Sequence, residues 1–157
     1  MSRTYAVLLL ILLAAMGACG SRSQSPPPAV AWDDPGVVTS GPWSLYYSAF
    51  AAKDLTPELA REYGVASDPS RALVVVSLAH ADHRPVPGDA RITMQVRTLS
   101  GSERSVAVRR VERNGAVSWL GEFSASRREM LLFSVSGAPD PQTQPITAEF
   151  RRELYLE

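Results

Sequence analysis

Apolar and polar residues alternate with period two along much of the chain, the pattern of strands with one face buried and the other in water. Ile92, Met94 and Val96 alternate with Arg91, Thr93, Gln95 and Arg97. Val106 and Val108 continue after Ser100-Gly101-Ser102, a short turn signal. Asn114-Gly115 is the strongest hairpin signal, because both residues tolerate the positive φ of a type I′ turn. Beyond it Val117, Trp119 and Phe123 share a face, with Gly121 on that face as a bulge or a close approach. Leu131, Phe133 and Val135 form another face. Ile146, Ala148, Phe150, Leu154 and Leu156 form the last, interrupted by Arg152. Leu73 to Leu78 is apolar but for Ser77, as expected of a central strand covered on both sides. With Trp43 to Phe50 at the front, about seven strands are predicted.

The helical signal is confined to Thr56–Gly64. Thr56 can cap, Pro57 suits the first helical position and Gly64 suits a left-handed stop. No space is left for the crossovers of a parallel sheet. The prediction is all-β: a small antiparallel immunoglobulin-like β-sandwich of about seven strands, with one short helix after the first strand.

Upstream of the strands the chain changes character. Arg3 precedes an apolar run from Ala6 to Ala15, half of the roughly 20 residues a membrane-spanning helix needs. A basic start, a short apolar run and small residues read as a secretory leader. Met16-Gly17-Ala18-Cys19 resembles the lipobox of bacterial lipoproteins, with Met16 where Leu is usual. That resemblance implies cleavage after Ala18 and acylation of Cys19. The other reading is ordinary cleavage that leaves Cys19 as a free N-terminal thiol. Cys19 is the only cysteine, so it has no partner for an internal disulfide. Gly20 stands where Asp would direct retention, which by resemblance to enterobacterial sorting favours the outer membrane over the inner. From there Ser, Pro and Gly dominate, including Pro26-Pro27-Pro28, and cannot bury a core. Trp32 can dock on the domain or sit at a lipid interface. The chain divides into a leader (1–18), a lipidated cysteine with its tether (19–41) and a sandwich domain (42–157).

Charge narrows the partners. The sequence holds 16 Lys and Arg against 16 Asp and Glu, and loss of the leader removes Arg3 alone. Nucleic acid needs a basic surplus facing phosphate, so none is expected as a partner. The arginine pairs Arg109-Arg110, Arg127-Arg128 and Arg151-Arg152 are offset by Glu112, Glu129 and Glu153, as on a solvated rim.

Catalytic chemistry has little to draw on. There is no Gly-x-Ser-x-Gly elbow and no phosphate-cradling glycine loop. Neither enzymatic activity nor a cofactor is expected. His80 and His83, with Asp82 between them, are the residues that invite a metal, since nearby imidazoles can share copper or zinc. Asp89 or Met94 would add a ligand, yet the set falls short of a closed four-ligand site. The polar, Pro-rich stretch Ala79–Gly88 reads first as a solvated connection. Alternation places Trp43 and Tyr47 on one face and Tyr46 and Phe50 on the other, where packing explains them before a ligand groove does.

Three stretches together resemble a known family: Tyr46-Tyr47-Ser48-Ala49-Phe50, Leu55 through Val65, and Ser70 through Ser77. The ending Phe150-Arg151-Arg152-Glu153-Leu154-Tyr155 joins them. They are similar to the Domain of Unknown Function 4426 family of exported proteobacterial proteins, over about Gly41 onward. Ser48 and Val75 depart from it, where Asn is common. The resemblance implies a fold and an exported location but no activity. The expected function is a lipid-anchored binding or accessory module of the bacterial envelope, touching the membrane through Cys19 and engaging an envelope protein. The alternative is a periplasmic metal or small-ligand binder using the His80–His83 loop.

Overall fold

Alternation along the chain becomes two stacked antiparallel sheets in the computed structural model, which describes residues 36–156 apart from 67 and 114. The leader, Cys19, the tether up to residue 35 and Asn114 of the predicted hairpin lie outside the described residues. The strands are β1 (Gly36–Ser40), β2 (Trp43–Ala51), β3 (Arg71–His80), β4 (Arg91–Thr98), β5 (Glu103–Arg104), β6 (Ala107–Arg113), β7 (Ala116–Ser124), β8 (Arg128–Ala138) and β9 (Ile146–Tyr155). One sheet runs β1-β2-β3-β7-β6 and the other β5-β4-β8-β9. The architecture is thus the predicted all-β sandwich, with two strands more than the periodicity showed.

Both additions have a physical reason. β5 is two residues long, too short to display a period. β1 lies inside the stretch read as tether, hidden behind the turn-like Asp33-Asp34-Pro35-Gly36. Its β-branched Val37, Val38 and Thr39 pair with Tyr46, Leu45 and Ser44 of β2, and Val38 packs on the core. The helix thus follows the second described strand.

The core forms where the inward positions of the two sheets meet. Tyr47 of β2 stacks on Phe150 of β9 at 4.8 Å, Phe150 stacks on Phe133 of β8 at 4.7 Å, and Phe133 and Phe123 of β7 meet edge to face at 5.9 Å. Four rings thus tie the sheets together, contributing orientation as well as buried area. Gly121 marks a close approach and not a bulge: the β3–β7 register runs through it without interruption.

The helix α1 (Pro57–Tyr63) forms as its sequence dictates. The Thr56 hydroxyl accepts from the Leu59 amide at 3.3 Å, and Gly64 turns left-handed at φ 61°. α1 and its flanks cover the outer face of the five-stranded sheet. Ala52, Val65, Leu73 and Leu120 form a second apolar cluster there, joined by Tyr63 and Val75. This explains why the Leu73–Leu78 run is apolar on both faces. Arg109 of β6 fastens the strap, donating to the Tyr63 carbonyl and to Glu122 Oε1, while Arg113 pairs with Glu62.

Candidate functional site

β3 and β7 pair from Arg71↔Ser124 to Ser77↔Ser118 and then part. β3 continues beside β2 as far as His80↔Trp43, and β7 keeps its pairing with β6 to Ala116↔Arg113. The fork between them opens a cleft of about 340 Å³, closed on its other side by the loop carrying His83, Arg84 and Val86. Where the fork closes, the Ser77 and Ser118 hydroxyls share a hydrogen bond of 2.7 Å. Leu78, Val86 and Val117 give apolar wall, and among the described residues no carboxylate lines the cleft.

His80 is the pivot of this arrangement. It follows Val74, Val76 and Leu78 on the inward face of β3, and its side chain is 7% exposed. The Trp43 ring meets it in a T-shaped arrangement, with centroids 4.8 Å apart and an interplanar angle of 84°. Its Nδ1 accepts from the Asp82 amide at 3.1 Å. A backbone amide can only donate, so Nδ1 presents its lone pair and the proton of the neutral ring sits on Nε2. Nε2 has no partner among the described residues and is not fully enclosed, so it meets solvent as an N–H donor.

The turn after β3 is fixed by its backbone. The Ala81 amide donates to the Pro42 carbonyl at 2.8 Å and the His83 amide to the His80 carbonyl at 2.9 Å. His83 adopts φ 56°, a left-handed conformation that costs a non-glycine residue about 1 kcal/mol. The result is that both imidazoles border one cleft. Asp82 turns outward, 3.9 Å from His80 Nδ1 and 3.3 Å from Arg84 Nη2.

The suggested metal set is not assembled. Asp82 and Asp89 are exposed and do not line the cleft, and Met94 is buried in the core, where its Sδ crowds Gly121. Among the described residues no group of three His, Cys, Asp or Glu side chains is placed to hold a metal ion. The stretch read as a plain connection is partly core, since His80 ends β3. The alternation Val74, Val76, Leu78, His80 carried that signal. The Ser77–Ser118 pair and the fork depend on strand order, which no local pattern reveals. The front aromatics divide as alternation required: Tyr47 is core, Phe50 packs under the α1 strap, and Tyr46 stays exposed beside Val37.

The fold and cleft define a small two-sheet sandwich with a loop-bordered opening at one strand fork. A family model described as Domain of unknown function (DUF4426) matches residues 37–157, and the chain belongs to that family. The crystal structure of a DUF4426 family protein (PA0388) from Pseudomonas aeruginosa PAO1 is similar at 24% identity and a TM-score of 0.64, covering 78% of this chain and 95% of that one. FetP of uropathogenic Escherichia coli strain F11, as isolated after expression in the periplasm, is similar at 8% identity and a TM-score of 0.53, covering 78% and 94%. A copper-bound variant of that FetP gives 9% identity, a TM-score of 0.51, and 75% and 93% coverage. These likenesses are of fold. No curated protein matches the sequence.

Proposed function

We propose that this protein is a non-catalytic binding module of the bacterial cell envelope, exported by its leader and held on the periplasmic side by acylated Cys19, with the outer membrane favoured. The observation that carries the reading is the fork cleft, which gathers hydrogen-bond donors without a nucleophile–base pair. Ser77 and Ser118 bond to each other, and His80 turns an N–H, not a lone pair, toward solvent, so it is unsuited to deprotonate a hydroxyl. The leader and lipobox supply the location, and the FetP likeness, to a protein produced in the periplasm, agrees with it. At about 0.8 kcal/mol per buried methylene, two or three acyl chains would hold the domain permanently. Palmitate labelling tests the anchor: the wild type should label and Cys19→Ala should not. Equal labelling, or none, would overturn it. Crosslinking in membranes should retrieve one envelope protein above background.

The copper-bound FetP variant favours a second reading, metal binding by His80 and His83. The His80 geometry argues against it, because the solvent-facing nitrogen carries the proton and the other is engaged by the Asp82 amide. Calorimetry with Cu(II) and Zn(II) should show no saturable binding tighter than about 10 μM. A tighter isotherm lost in His83→Ala would establish the metal reading instead.

A further inference from the structure

We infer that the fork between β3 and β7 binds a small organic monocarboxylate. The His80 Nε2–H and Arg84 take the carboxylate, and Leu78, Val86 and Val117 face its carbon skeleton. This rests on the reading of the domain as a binding module and adds the ligand class to it.

Three independent features converge on an acceptor that is anionic at one end and apolar at the other. His80 is nine-tenths buried, and with Nδ1 engaged by the Asp82 amide its remaining nitrogen is an unpartnered donor. A donor so placed recognises an oxygen and repels a cation. Arg84 lines the cleft, and among the described residues no carboxylate does. Asp82 engages one Arg84 nitrogen at 3.3 Å, and the other N–H groups of the fork remain for a second acceptor. Finally, β3 and β7 cease to pair beyond Ser77↔Ser118. The main-chain groups of this stretch that face the fork therefore look to water or a ligand for partners. A cleft of about 340 Å³ lies at the small end of ligand sites, and its apolar walls favour a carbon skeleton over inorganic phosphate.

The test is an amide-shift titration of the full chain, nitrogen-15 labelled and held in detergent micelles. The probes are butyrate and benzoate, their neutral amides butyramide and benzamide, and inorganic phosphate. The carboxylates should give saturable shifts at Leu78, His83 and Val117, half-complete below about 10 mM, with the amides at least about tenfold weaker. His80→Phe keeps a ring against Trp43 and removes the donor, so it should weaken carboxylate binding about tenfold. Should that variant fail to fold, Arg84→Gln, at an exposed position, should give the same loss. Absence of saturation, shifts mapping elsewhere, equal response to the amides, tighter binding of phosphate, or full affinity in the folded variant would each overturn the inference. Palmitate labelling of Cys19 is read separately, so failure of the ligand and failure of the anchor are told apart.

Discussion

A methyl group at position 121 has nowhere to go. A Cβ there would fall 2.6 Å from Val106 Cγ1, 2.8 Å from Met94 Sδ and 2.8 Å from Val74 Cγ1, so both sheets press on the bare backbone. Gly121→Ala should therefore destabilise the domain by about 1–3 kcal/mol, the usual cost of overpacking, read as a lower midpoint in chemical denaturation with an unchanged slope. A stability at or above wild type would mean that Met94 swings aside freely. The same scale shows where sequence reading succeeds. Gly121 interrupts an apolar face, which marked it as a bulge or a close approach, and the register decides for the second. His80 tells the opposite story. Its chemistry drew the eye as a ligand in a loop, while its phase with Val74, Val76 and Leu78 already placed it inside.

Between elements, the smallest strand, paired to β4 at two positions, also carries an ionic tie to β8. Arg104 of β5 reaches over β4 to Glu129 of β8 at 2.5 Å, and the Ser126 amide donates to the other Glu129 oxygen at 2.9 Å. Burial by itself would raise the Glu129 carboxyl, but these donors outweigh it and hold the group below the ordinary glutamate value of 4.5. A carboxyl lowered in the folded state stabilises fully above its unfolded value, and that contribution is lost as the pH falls through the folded one. The domain should lose stability as the pH drops below about 4.5, and Glu129→Gln should flatten part of that slope. Denaturation midpoints measured from neutral pH into the acid range would check this; identical slopes would show that the tie contributes nothing. β5 itself was not legible, because two residues cannot show a period. The helix was, because Thr56, Pro57 and Gly64 each act within one turn of chain. β1 was masked by the Asp-Asp-Pro-Gly sequence just before it, although Val37, Val38 and Thr39 were in plain sight.

At the scale of the whole molecule, the four-ring run from Tyr47 through Phe150 and Phe133 to Phe123 joins both sheets. Removing its centre with Phe150→Ala should cost about 3–5 kcal/mol, seen as a large fall in melting temperature, and a loss below 1 kcal/mol would mean that the rings are replaceable filling. Period and composition made the two-layer architecture legible, since seven alternating segments with little helix leave few other solutions. The fork cleft was not legible, because it arises from β3 meeting β7, a strand more than forty residues away along the chain.

The position of β1 has a mechanical consequence. It is an edge strand with five register pairs, all to β2, its side chains are mostly in water, and it is the first of the described strands. If the domain is leashed from its N-terminal side, tension arrives at Gly36 and is carried by β1 before any other strand. Pulling there unzips main-chain pairs one after another while the aromatic core stays intact. β1 would then act as a fuse, yielding at low force and lengthening the leash by its own contour before the sandwich is threatened.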